Sequence, residues 1–334
     1  MPKPTFADIA RKAGVGTATV ERVLNGRGGV RPETAERVIA AVRVLNYPRP
    51  LPDVHRGILR IDILLGRPGN TFFRRLSGSF ERISATLDPA VRVHRTFLDE
   101  QDPGAIVRRI LSPGIRRAGL ILAVPDHPEI QLAVEQTVST GIPVVHVVTR
   151  AAQAIGDLIS IDNYAAGRTA ALFLSRMQPR NGSVVVLGHP VYQVQRARLR
   201  GFSDFLDRYP RTGLSFRWVG FARDEPARSA DLIADALKTW PDLVGLYNVG
   251  AGNAAIGDEI RRSGRAGEIF FVGHELTDSS TRALRDGIMS VVLDQAPEAQ
   301  ARRAIDLMMS KIGMLDEAVD TTPIRFVTVT AESL

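Results

Sequence analysis

The stretch from Thr5 to Asn25 reads TFADIARKAGVGTATVERVLN. Thr5 is placed to cap a short helix, with Asp8 three residues on as the acidic partner of a capping box. Ile9 and Ala10 give that helix an apolar side, and Ala13-Gly14-Val15 supplies a tight turn with its glycine. A second helix is predicted from about Thr17 to Leu24. Its Val20, Val23 and Leu24 face inward, and Thr17, Ala18, Glu21 and Arg22 share the opposite side. Two helices this short cannot bury a core alone. Pro32 to Leu45 provides a third, with proline suited to its first turn and Val38, Ile39, Val42 and Leu45 as its apolar stripe. The pattern is an all-α helix-turn-helix headpiece that offers small polar side chains and an arginine to a major groove. A generic three-helix cap is the plainer alternative.

The charge distribution agrees with that reading. Residues 1–57 hold ten Lys/Arg against five Asp/Glu, and the rest of the chain holds 33 against 31. The basic excess therefore sits on the segment expected to meet phosphates. The 334 residues exceed one small domain, and 44% hydrophobic residues are ample for a core. No apolar run is long enough to span a membrane, and Met1-Pro2-Lys3-Pro4 does not open a signal peptide. Cysteine is absent, which is compatible with the cytoplasm and leaves neither disulfides nor thiolate metal sites. The six histidines are scattered without metal-ligand spacing, and no G-x-S-x-G elbow occurs. Neither metal, cofactor nor catalytic residue is expected.

From Ile58 onward, strand-like runs alternate with helical patterns. The runs are ILRIDILLG, VRVHRTF, AGLILAV, IPVVHVV, DLISI, SVVVLG, LSFRWVG, LVGLYNV, IFFVG, IMSVVLD and IRFVTV. Helical stretches lie around Phe73 to Leu87, Pro128 to Ser139, Tyr164 to Met177 and Pro297 to Ile312. Such alternation implies parallel sheets covered on both faces. The strands are too many for one open sheet, so two lobes with a cleft between them are expected.

The motifs DIARKAGV, TATVERVLNG and V-R-P-E-T followed by ERVIAAVRVLNY closely resemble the headpiece of the lactose-repressor (LacI/GalR) family, and the likeness continues more weakly along the chain. The resemblance implies an α/β periplasmic-binding-protein-like domain of two doubly wound lobes behind the headpiece. It also implies double-stranded, pseudo-palindromic operator DNA, a small-molecule effector and a homodimer. Thr17, Ala18 and Arg22 match base-reading positions, and Thr19 and Asn25 match phosphate-contacting ones. An arginine that chelates guanine and methyl groups that pack on thymine agree with this. Gly16 replaces the family's usual capping serine, and Glu21 replaces a small hydroxyl residue, so an operator unlike the family's common one is expected.

The expected boundaries are 1–48 for the headpiece, 49–57 for a linker and 58–334 for the effector domain. Lobe 1 comprises 58–160 and 292–322, and lobe 2 comprises 161–291 and 323–334, with crossings near Ile159 to Asn163, Val291 to Gln295 and Thr321 to Ile324. Pro48, Pro50 and Pro52 oppose the family's hinge helix. Leu51 is the candidate minor-groove wedge and Arg49 a candidate groove contact; an extended linker without either role is the alternative.

Ligands in such folds bind beyond the carboxyl ends of strands. Asn70, Phe72 and Phe73 match a sugar-clamping pattern, with a core role open for Phe73, and Thr149-Arg150 stands where the ribose-binding type has Asp-Arg. In QRARLRGF, Arg198 matches the effector-gripping arginine, whereas Arg196 and Arg200 are read as a solvated helix face. Phe221, Asn248 or Asn253, Glu275 and Gln295 complete the set, with His274 as part of the cleft wall. These residues point to a sugar, polyol or sugar-acid effector; the resemblance implies a repressor relieved by its ligand, with a ligand-responsive activator as the second possibility. A nucleotide-dependent enzyme is the rival from another class, because Gly250-Ala251-Gly252 fits a dinucleotide loop.

Overall fold

The computed structural model describes residues 4–25, 29–45, 47, 58–67, 69–151, 153–189 and 192–334. The expected groove contacts Arg49 and Leu51 lie outside the described residues.

The headpiece contains α1 (Phe6–Ala13), α2 (Thr17–Leu24) and α3 (Pro32–Val44). The capping box forms: the Thr5 amide donates to Asp8 at 2.9 Å, and the Asp8 amide donates back to Thr5 Oγ1 at 3.4 Å. Gly14 then ends α1 in the left-handed region at φ 65, where a Cβ would add strain. Gly16 caps α2 without any side-chain bond, as its missing hydroxyl requires. Ile9, Val20, Val23, Leu24, Val38, Ile39 and Val42 form the buried core. Each large aliphatic side chain removed from water contributes roughly 1.5–3 kcal/mol, so the three helices stabilise each other where none would stand alone.

The larger, C-terminal domain holds two sheets. The first contains β1 (Leu59–Gly66), β2 (Val91–Leu98), β3 (Gly119–Ala123), β4 (Val144–Val147) and β5 (Asp157–Ile159), in the order β2-β1-β3-β4-β5. It is flanked by α4 (Thr71–Ser84), α5 (Pro103–Leu111) and α6 (Pro128–Ser139). The second contains β6 (Gly182–Gly188), β7 (Leu214–Phe221), β8 (Leu243–Asn248), β9 (Phe270–His274), β10 (Val291–Asp294) and β11 (Val327–Val329), in the order β11-β10-β9-β8-β6-β7. Its helices are α7 (Asn163–Met177), α8 (Gln193–Arg208), α9 (Pro226–Thr239), α10 (Asn253–Arg262) and α11 (Asp278–Arg285). Every strand matches one of the runs read from the sequence to within one residue at the end where it overshoots, and the buried central parallel strands are the most continuously apolar.

The chain leaves the first sheet after β5, and Ile161 bridges in parallel to Ile324 beside it. α12 (Pro297–Lys311) returns to pack on α4 and on β3, β4 and β5. The expected start of the second lobe 1 segment at residue 292 is corrected here. Residues through Asp294 pair with β9 and β11 and so belong to the second sheet, and the crossing follows at Gln295 and Ala296.

One close approach positions the site. A Cβ on Gly201 of α8 would lie 2.1 Å from the Tyr164 carbonyl oxygen, and one on Gly167 of α7 would lie 1.9 Å from the Arg198 carbonyl oxygen. Only glycine at both places lets α7 and α8 meet backbone to backbone. That contact places Arg198 on the buried face of α8.

Candidate functional site: an interlobe cleft and an exposed recognition helix

On α2, Thr17, Ala18, Glu21, Arg22 and Asn25 are exposed and Thr19 is half-buried, while the alternate face is core. Six of the eight residues expected to meet DNA thus lie on or beside one helix surface, and the other two, Arg49 and Leu51, fall outside the described residues.

In the effector domain, a cavity of about 690 Å³ opens between the lobes beyond the carboxyl ends of the strands. One wall comes from the turns after β1 and β2 and from Val148. The other comes from the start of α8, the turns after β7, β8 and β9, and Gln295. Asn70 caps α4, its Oδ1 accepting from the amides of Phe72 at 2.8 Å and Phe73 at 3.3 Å. The cap holds the two rings edge to face, with centroids 5.4 Å apart, at the cavity wall.

Arg198 is 2% exposed. Its Nε donates to Asn163 Oδ1 at 2.8 Å and its Nη1 to the Val249 carbonyl at 2.7 Å, while Nη2 has no partner among the described residues. Burial pushes its pKa below the usual guanidinium value, with Tyr247, Glu275 and Asp224 acting the other way. Glu275 adopts φ 74, a strained conformation for a non-glycine residue. Gln295 donates its amide to Glu275 Oε1, leaving Glu275 Oε2 and Gln295 Oε1 without partners among the described residues. Burial, reinforced by Asp294, raises the Glu275 pKa to about 8; Arg198, Gln295 and Arg75 oppose the shift. At neutral pH this carboxyl is mostly protonated and can donate a hydrogen bond. His274 packs behind it with Nε2 2.9 Å from the Tyr247 hydroxyl, and burial holds the ring neutral. Asn253 lines the cavity and donates to the His274 carbonyl at 2.6 Å. Asn248 lies beneath the same loop, donating to Asn253 Oδ1 at 2.7 Å.

Three expectations are corrected. Thr149 and Arg150 do not reach the cavity: Val148 takes φ 69 and faces it, the chain then turns away, and Arg150 donates to the Gly156 carbonyl at 2.6 Å. Phe221 ends the edge strand β7 with its side chain 49% exposed and off the cavity wall. Arg223 and Asp224, at φ 53 and 54, turn into the cleft in its place. Arg196 is not merely solvated, since its Nη2 donates to Asp126 of the other lobe at 2.8 Å. Arg200, by contrast, is exposed and pairs with Asp204 one turn on, at 3.6 Å.

The sequence reading missed the groups that tie the lobes together. Arg67 pairs with Glu100 in its own lobe and with Asp224 across the cleft at 3.2 Å, and Tyr192 donates its hydroxyl to Glu100. Arg75 on α4 grips Asp294 of β10 at 2.5 Å and Glu298 of α12 at 2.8 Å. The available signal was position: Arg67 and Asp224 both lie just beyond a strand's carboxyl end. Asp224 also decides how the Gly250-Ala251-Gly252 loop is used. Its Oδ1 accepts from the Ala251 amide at 2.9 Å, so an internal carboxylate occupies the donor that a pyrophosphate would need.

Comparison with known proteins follows the same division. Residues 61–313 match the family described as periplasmic binding protein domain, and residues 5–49 match the bacterial regulatory proteins of the lacI family. The regulator MalR of Streptomyces coelicolor is 56% identical over 46 residues, 14% of this chain and 13% of MalR. A sucrose operon repressor of Klebsiella pneumoniae is 28% identical over 243 residues, 69% of each chain. Among solved structures, a periplasmic solute-binding protein of Actinobacillus succinogenes with bound D-allose superposes with TM-score 0.73 at 18% identity, covering 82% of this chain and 98% of its own. The glucose-galactose binding protein GanP of Geobacillus stearothermophilus gives 0.74 at 16%, covering 84% and 99%. At these identities the structures show the fold alone.

Proposed function

Because the chain belongs to the periplasmic-binding-protein-domain family, with a lacI-family regulatory segment at its N-terminus, we propose that it is a DNA-binding transcriptional repressor controlled by a small hydroxylated effector. The observation that carries this reading is the exposed face of α2, on which Thr17, Ala18 and Arg22 stand clear of a complete three-helix core. Such a face fits a major groove, where the arginine can chelate guanine O6 and N7. Two copies of the chain pair so that two headpieces read half-sites of a pseudo-palindromic operator. The proposed role puts the protein in the cytoplasm with its DNA.

The cleft supplies the control. Aromatic rings suit the C–H face of a sugar or polyol, and the free atoms of Arg198, Glu275 and Gln295 suit its polar groups. A ligand that binds the closed lobes better than the open ones shifts the equilibrium between them, and the headpiece spacing responds. The relative named as a sucrose operon repressor supports a carbohydrate-linked role. The Asp224-capped glycine loop favours the regulator over a nucleotide-dependent enzyme.

Selection of bound sequences from a random duplex pool by the full chain tests the reading. It should enrich a two-fold symmetric site, and a sugar, polyol or sugar acid should then release the protein from that site. Binding without any enriched sequence, falling uniformly with salt, would overturn it.

A further inference from the structure

Arg67, Arg198 and Arg223 line the cleft and Arg75 ties the lobes beside it, in different surroundings; Arg223 is exposed, so water screens its charge. Arg67 meets Glu100 and Asp224, and Arg75 meets Asp294 and Glu298. Arg198 makes no ion pair with a described carboxylate; its two bonds go to neutral oxygens, and Nη2 is left without a partner among the described residues while the residue is 2% exposed. A buried charge in this condition is costly unless a counter-ion completes it. Glu275 shares the cavity, but its carboxyl is mostly protonated at neutral pH, so it acts there as a neutral hydrogen-bonding group. With Gln295, which also lines the cavity, it holds two buried oxygens that have no partner among the described residues and suit hydroxyl groups.

We infer that the effector is a polyhydroxylated monocarboxylic acid, an aldonate or uronate, whose carboxylate pairs with Arg198 while its hydroxyls meet Glu275 and Gln295. This rests on the cleft being the effector site. A hydroxyl at Arg198 would satisfy Nη2 but leave the charge uncompensated; a carboxylate does both. One guanidinium nitrogen has no partner among the described residues, which matches a single negative charge better than a phosphate dianion, and the neighbouring Asp224 would oppose a second one. Asn70 and the rings of Phe72 and Phe73 hold the carbon skeleton.

Calorimetric titration of the full chain at neutral pH tests this with three matched sets. These are gluconate, glucuronate and galacturonate; glucose, galactose and glucitol; and glucose 6-phosphate. At least one acid should bind about 100-fold tighter than its neutral counterpart, and about 100-fold tighter than its own uncharged amide. Arg198→Gln should bring acid and neutral sugar within about threefold, while Arg198→Lys, which keeps the charge, should retain roughly tenfold preference. The amide comparison uses the unaltered protein, so it stands even if Arg198→Gln does not fold. A neutral sugar that binds as tightly as its acid, and loses affinity on Phe72→Ala, would overturn the carboxylate assignment and leave the effector cleft standing. Preference for the phosphate would do the same. No binding in any set would overturn both the assignment and the cleft reading.

Discussion

Arg67, just beyond β1 in one lobe, pairs at 3.2 Å with Asp224, just beyond β7 in the other, and the same arginine donates to the Arg223 carbonyl at 3.0 Å. Both side chains are largely shielded from water, so the pair is not screened like a surface ion pair. It exists only while the lobes are together, and its energy therefore enters the equilibrium between closed and open forms.

Asp224→Asn removes that charge while keeping the shape. A hydrogen bond to a charged group is worth about 1.5–3 kcal/mol, and about 1.4 kcal/mol is tenfold in a binding constant. Effector affinity should fall at least about tenfold, and operator release should need correspondingly more effector. Titration of the variant against the effector checks this; unchanged affinity would show that the pair does not hold the lobes closed.

The Glu275 pKa yields a pH dependence. Its folded value, about 8, lies above the ordinary 4.5. The unfolded chain ionises this group first, so its contribution to stability is fully present below about pH 4.5 and is lost as pH rises through about 8. Burial and Asp294 favour the neutral form, and Arg198, Gln295 and Arg75 favour the charged one. His274 and His146 are depressed by burial and act in the opposite sense as pH falls through the ordinary imidazole range. The difference between the native protein and Glu275→Gln isolates the carboxyl. In thermal unfolding from pH 5 to 8 the native protein should lose stability relative to the variant; parallel curves would remove the raised pKa.

Arg22→Ala should cost about 1–3 kcal/mol at a matched operator and relax sequence preference at one base pair in each half-site. Competition among operators altered one position at a time measures this. Equal weakening on all sequences would assign Arg22 to the phosphate backbone instead.

Gly201→Ala forces a Cβ to 2.1 Å from the Tyr164 carbonyl oxygen, and backbone cannot yield as a flexible side chain can. Overpacking of this kind costs about 1–3 kcal/mol. The variant should unfold at lower denaturant and lose effector response with Arg198 displaced. Full stability would mean that α7 and α8 slide apart at little cost.

The headpiece and the strand order were legible because their signals are local. Thr5 and Asp8 are one turn apart, Val20, Val23 and Leu24 recur at helical spacing, and each apolar run became a strand. Arg198 was singled out through the family likeness of QRARLRGF, and its burial follows from a glycine three residues along the same helix. Thr149, Arg150 and Phe221 were not. Where a side chain points after a strand ends depends on the backbone of the turn, and Val148 at φ 69 and Arg223 and Asp224 at φ 53 and 54 adopt conformations that their residue types do not announce.

By itself, then, the chain's order of residues determined which segments are helix or strand, that the N-terminal helices share one core, and which face of α2 is left exposed. Tertiary structure alone decided which charges meet across the cleft, because Arg67 and Asp224 are far apart in the chain and no local pattern joins them. It also decided the state of Glu275 and the missing counter-ion of Arg198. Burial and neighbouring charge set both, and these arise only when elements distant in the chain are packed together.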